Sequence, residues 1–119
     1  MGIIKDRFKE RADKMAVEIK DLLKEHGNKK IGEVTLSQIY QGMRGMTGLV
    51  TETSLLDAQE GIRFRGYSIP ELQQKLPKVP GGSEPLPEGL FYLMLVGNLP
   101  SEEDVAHLTS VWQRRSHVP

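Results

Sequence analysis

Leu90-Phe-Tyr-Leu-Met-Leu-Val96 is the longest wholly apolar run in the chain, with Pro87 before it and Gly97-Asn98 after it. A buried strand could hold these residues, but a leading proline and a trailing glycine favour a helix at about 87–97. A helix that is apolar on every side must be covered on most of them. A chain of 119 residues has little other material for that purpose, so the run points to a larger body or an oligomer. It is far too short to cross a bilayer.

The remaining elements can be read from spacing. Ile4, Phe8, Ala12, Met15, Ile19, Leu22 and Leu23 step by three or four and predict an amphipathic helix at about 4–26, stopped at Gly27. Its polar face carries both charge signs, which favours packing on protein over lying on a membrane. Ile31-Gly-Glu-Val-Thr35 fits a short strand. Thr35-Leu-Ser-Gln38 has capping-box spacing and opens a helix from Leu36 to about Met43.

Thr51–Leu56 and Gly61–Arg65 flank Asp57-Ala-Gln-Glu60, which predicts a hairpin at about 50–66. In its second strand Ile62 and Phe64 face one way and Arg63 and Arg65 the other, where Glu52 is available. Ser68-Ile-Pro-Glu71 is a second capping box, opening a helix at about 68–76. Lys78 to Pro87, with Gly81-Gly82, reads as a loop. Ser101 caps a last helix at about 101–115, with Glu102, Glu103 and Asp104 in its first turn and Val105, Leu108 and Trp112 as its stripe.

Sixteen basic residues balance sixteen acidic ones, so bulk charge gives no reason to expect nucleic acid as a partner. Without cysteine there is no disulfide framework and no thiolate metal site. The N-terminus has no signal-peptide core and is rich in acids, unlike a transit peptide, which leaves a removed leader open. No phosphate loop, dinucleotide fingerprint, zinc spacing or nucleophile elbow is present. His26, His107 and His117 read as surface residues, and the acids lie along solvated helix faces.

One stretch has the makings of a site. Gly42-Met-Arg-Gly-Met-Thr-Gly48 repeats glycine at every third position around Arg44, and five of the twelve glycines fall between 42 and 66. Glycine lets a ligand approach the backbone, and a guanidinium suits phosphate or carboxylate. The plainer reading is glycine packing turns with surface arginines. Arg44 also follows a helix C-terminus, whose partial negative charge does not help an anion.

The segment GMRGMTGLVTETSLLDAQEGIRFRGYSIPELQQKLP, followed by GGSEPLPEGLFYLMLVGNLPSEEDV, closely resembles the N-terminal part of citrate synthase of the mitochondrial, eukaryotic type. The likeness runs from about Ile19 to His117, and GIRFRGYSIPE with EPLPEGL is specific in combination. It implies a mainly helical fold with a small β-hairpin, in which 1–119 is the N-terminal segment of the large domain of a homodimer. It also implies a mitochondrial matrix enzyme that condenses acetyl-coenzyme A with oxaloacetate and water, giving citrate and coenzyme A. No metal, permanently bound cofactor, nucleic acid or membrane insertion is expected.

The family's catalytic aspartate and histidines lie in motifs beyond this chain, so it is expected to carry no catalytic residue and to be inactive alone. Arg44 matches the arginine of the family's GMRGM motif, which helps to hold coenzyme A phosphates. Without partners from later in the family chain, it should bind coenzyme A negligibly. Two other readings remain: a truncated helical interaction module that joins a partner chain, and a small anion-binding domain built on Gly42–Gly66.

Overall fold

The computed structural model describes residues 2–117. Five helices and one three-stranded sheet follow in the order α1 (Gly2–His26), α2 (Leu36–Tyr40), β1 (Ser54–Asp57), β2 (Gly61–Phe64), β3 (Tyr67–Ser68), α3 (Ile69–Lys75), α4 (Pro87–Val96) and α5 (Glu102–Arg115). The fold is mainly helical, as read from the sequence.

Local chemistry sets the helix boundaries. Thr35, Ser68 and Ser101 each accept the backbone N–H three residues on, while the side chain at that third position reaches back to the cap's own N–H. Gly97 closes α4 with φ +88°, and its N–H donates to the Leu93 carbonyl. The positive φ selects glycine there, and the absence of a Cβ leaves room for the Arg11 guanidinium alongside.

The sheet is antiparallel throughout, in the order β1-β2-β3. Ser54 pairs with Phe64 and Asp57 with Gly61. Asp57 Oδ1 accepts the N–H groups of Gln59 and Glu60 and fixes the turn between them. The third strand was not foreseen: Arg63 pairs with Ser68 and Phe64 with Tyr67 across a turn at Arg65-Gly66. Both turn residues have positive φ.

The core forms where α4 meets its neighbours. Leu93 is fully buried with Leu72 and Leu76 of α3, and Phe64, Tyr67, Leu90 and Leu99 close around them. On the other side Tyr92 and Val96 pack with Ile4 and Leu108. Helix α4 is therefore covered by α1, α3, α5 and the hairpin, although Phe91 stays 42% exposed against Trp112.

Four sequence expectations are corrected. Ile31–Thr35 is irregular because no neighbouring strand offers it a ladder. Helix α2 stops at Tyr40, short of Met43, because Gly42 and Met43 enter the left-handed region at φ +75° and +60°. In α5 the buried stripe is Val105, Leu108 and Val111, whereas Trp112 is 37% exposed. Of the α1 stripe only Ile4 is buried; Phe8, Ile19, Leu22 and Leu23 face solvent.

Acid should weaken this fold. The backbone N–H groups of Glu60 and Gln59 lower the pKa of Asp57, and Ser68 lowers that of Glu71. Burial alone would raise Asp104, but bonds from Ser101 and Arg7 outweigh it and hold it below its ordinary value. All three are depressed in the folded state. The stability they add is therefore complete above the ordinary values of 3.8 for Asp and 4.5 for Glu, and is lost as pH falls through the lower folded values. The urea midpoint should be steady from about pH 7 to about pH 5 and fall below about pH 4, less steeply in Asp104→Asn. A midpoint unchanged into that range would contradict this assignment.

Candidate functional site

Arg44 sits at the tip of a hook. Helix α2 ends, and the Met43 N–H turns back to the Gln38 carbonyl at 2.8 Å. Gln38 thus serves both ends of the hook, because its side chain also completes the cap at Thr35. Gly42 and Gly45 both have positive φ, which the reversals on either side of Arg44 require. The next turn returns to Ile31–Val34, which with Gly45, Met46 and Thr47 lines a shallow hollow. Arg44 itself is exposed and makes no hydrogen bond or ion pair among the described residues. The hook presents a free guanidinium, and nothing around it completes a pocket.

The other two arginines of the glycine-rich stretch are engaged. Arg63 bonds Glu60 and the Gly66 carbonyl, and lies 3.8 Å from Glu71. Arg65 leaves the strand at φ +50° and turns under α4, where Nε and Nη2 both donate to the Met94 carbonyl at 3.2 and 2.6 Å. That carbonyl lies in the last turn of α4, where orphan acceptors and the helix dipole favour a cation. Burial first, and then the nearby Arg11, lower the Arg65 pKa against the pull of Glu52.

Glu52 bridges Arg65 at 3.7 Å and Arg11 at 3.4 Å. Among the described residues it makes the only side-chain bond that ties residues 28–53 to the rest of the molecule. This arrangement was only half legible in the sequence. The Glu52–Arg65 pairing could be anticipated, but α4 could not, since Met94 is far away in the chain.

A cleft of about 430 Å³ opens between α1 and the end of α4, lined by Arg7, Arg11, Lys14, Tyr92 and Asn98. Its cations have partners: Arg7 pairs with Asp104 at 2.6 Å and bonds Tyr92 Oη, Arg11 meets Glu52, and Lys14 lies 3.8 Å from Glu18.

The histidines converge on nothing. His26 and His117 are exposed, and His107 is half-buried with Nε2 unpartnered. Glu88 is buried at 8% exposure, with Oε1 accepting from Thr109 and Oε2 unpartnered. Among the described residues no His, Asp and Glu cluster could hold a metal, and no helix is long and apolar enough to cross a membrane.

Residues 42–119, from the glycine hook onward, match the family model for the citrate synthase C-terminal domain. The chain belongs to the citrate synthase family. It is 56% identical over 116 residues to mitochondrial citrate synthase of Neurospora crassa, covering 98% of this chain and 25% of the relative. Mitochondrial citrate synthase of Emericella nidulans is 54% identical over the same length, with 98% and 24% covered. Mitochondrial 2-methylcitrate synthase of Yarrowia lipolytica is 53% identical, with 98% and 25% covered. The chain spans about a quarter of the length of these curated relatives. Its fold agrees with the family's mainly helical architecture.

Proposed function

We propose that this citrate synthase segment is the N-terminal part of the large domain of an enzyme that condenses acetyl-coenzyme A with oxaloacetate and water. The products are citrate and coenzyme A. The enzyme works as a homodimer in the mitochondrial matrix, without a metal. The observation that carries the reading is 56% identity across 98% of this chain. The relatives named mitochondrial citrate synthase support citrate as the product. The similar 2-methylcitrate synthase makes a one-methyl-larger product the alternative to measure.

In this reading the chain contributes binding and architecture, and the proton transfers belong to residues outside it. The acetyl methyl must lose a proton, the resulting enol must attack the ketone carbon, and water must then cleave the thioester. Nothing among the described residues pairs a base with an acid for such steps. Arg44 supplies one cation for the coenzyme A phosphates, carried on a hook whose glycines keep the approach open.

Two assays test this reading. Thiol release by the full-length enzyme from acetyl-coenzyme A and oxaloacetate, with citrate identified by mass, checks the reaction; the 119-residue chain alone should match the no-protein blank. Arg44→Ala in the full-length enzyme should raise KM for acetyl-coenzyme A roughly ten- to hundredfold with kcat little changed. That is the loss of one charge-assisted contact made equally in ground and transition states. An unchanged KM would remove Arg44 from the site. Micromolar binding of coenzyme A to the isolated chain would overturn the view that Arg44 needs partners.

A further inference from the structure

We propose that Gln38 is a positioning residue for Arg44 and sets how tightly the hook holds the coenzyme A phosphates. The inference rests on the coenzyme role proposed above for Arg44, and adds a residue that touches no ligand itself.

Two closures meet in this one residue. Helix α2 is only five residues long. At its start, the Thr35 N–H and Oγ1 donate to Gln38 Oε1 at 2.9 and 3.2 Å, while Thr35 Oγ1 accepts the Gln38 N–H at 3.3 Å. At its end, the Met43 N–H donates to the Gln38 carbonyl at 2.8 Å, and the Gly42 N–H to the Ile39 carbonyl at 3.4 Å. That pair is the left-handed closure that Gly42 allows at φ +75°. In a longer helix the capping box and the closing bond belong to different residues. Here the third residue from one end is also the third from the other, so Gln38 carries both.

Gln38 also meets both shoulders of Arg44. Its carbonyl holds Met43, and its Nε2 lies 3.9 Å from where a Cβ on Gly45 would stand. The Met46 N–H, donating to the Met43 carbonyl at 3.3 Å, closes the turn that carries Arg44 and Gly45. Nothing apolar takes over this task. On the arm that carries the hook, residues 31–50, only Gln38 and Met46 are half-buried, while Leu36, Ile39 and Tyr40 are exposed. A helix this short is marginal by itself, so its polar closures decide how fully the hook keeps its shape.

Truncating Gln38 to alanine removes the acceptor of the Thr35 N–H and the amide beside Gly45, and leaves the carbonyl in place. The competent hook is then less populated, and apparent affinity falls by the same fraction. One neutral hydrogen bond corresponds to roughly fivefold. The phosphates lie far along coenzyme A from its thioester, so the loss belongs to binding and leaves the chemical steps alone.

The test uses the full-length enzyme. Gln38→Ala should raise KM for acetyl-coenzyme A roughly three- to tenfold, with kcat and KM for oxaloacetate within about twofold. In an Arg44→Ala background the same change should add less than about twofold, because the group it positions is gone. Gln38→Glu should restore KM, since Glu71 fills the same place in the capping box of α3. An unchanged KM in Gln38→Ala, beside a raised one in Arg44→Ala, would overturn the positioning role and leave the coenzyme reading standing. Full additivity of the two changes would overturn it too, and so would an equal loss in kcat or in KM for oxaloacetate. An unchanged KM in Arg44→Ala would instead remove the coenzyme reading, and this inference with it.

Discussion

Leu93→Ala should lower the stability of the isolated chain by about 3 kcal/mol, within the range found when a buried leucine is truncated. Leu93 is the most enclosed side chain, at 0% exposure, and it stands where α3, α4 and the hairpin meet. The neighbours are held by their own elements: Leu72 and Leu76 by α3, Phe64 by β2 and Leu99 by the turn after α4. They cannot all move into the vacated space, so a cavity term adds to the lost burial. A domain of this size has only about 5–15 kcal/mol to lose. The urea midpoint should fall by about 1–2 M. Leu55→Ala, at 63% exposure, should change it little. Similar effects from the two substitutions would mean that α4 is not the centre of the core.

Arg65→Ala should lower stability by about 2 kcal/mol, since it leaves a part-buried carbonyl without its charged donors. The Arg65 side chain is 10% exposed, and two of its nitrogens converge on the Met94 oxygen. Glu52 loses one of its two cations in the same step. Lysine should recover only part of the loss, because a point charge cannot reproduce the fork. Arg65→Gly provides the discriminating comparison. At φ +50° a non-glycine residue is strained by about 1 kcal/mol, so glycine should be less harmful than alanine although it removes more atoms. If glycine were the worse substitution, the positive φ would carry no strain and side-chain bonding alone would explain the position. Hydrogen exchange along residues 41–53 should quicken in both variants, because Glu52 is that segment's side-chain tether.

The arm and the core differ in what each still needs. The core around Leu93 is assembled from residues that lie within this chain. The arm has well-formed local geometry and almost no tertiary contacts, so its hook at Arg44 is shaped but not enclosed. Arg44, proposed above as a coenzyme contact, is therefore exposed and unenclosed among the described residues.

The sequence by itself determined whatever depends on neighbours three or four residues apart. The caps at Thr35, Ser68 and Ser101, the proline and glycine ends of α4 and the Asp57 turn were legible because each is a short-range hydrogen bond or a backbone preference. Family membership was legible too, carried by consecutive motifs. Tertiary structure alone decided the long-range matters. It left Ile31–Thr35 without a strand partner, chose Val111 over Trp112 for the core and buried only Ile4 of the α1 stripe. It also sent Arg65 to the end of α4. Periodicity places a side chain on a face of its own element, but which face finds a partner depends on surfaces that the chain brings together from a distance.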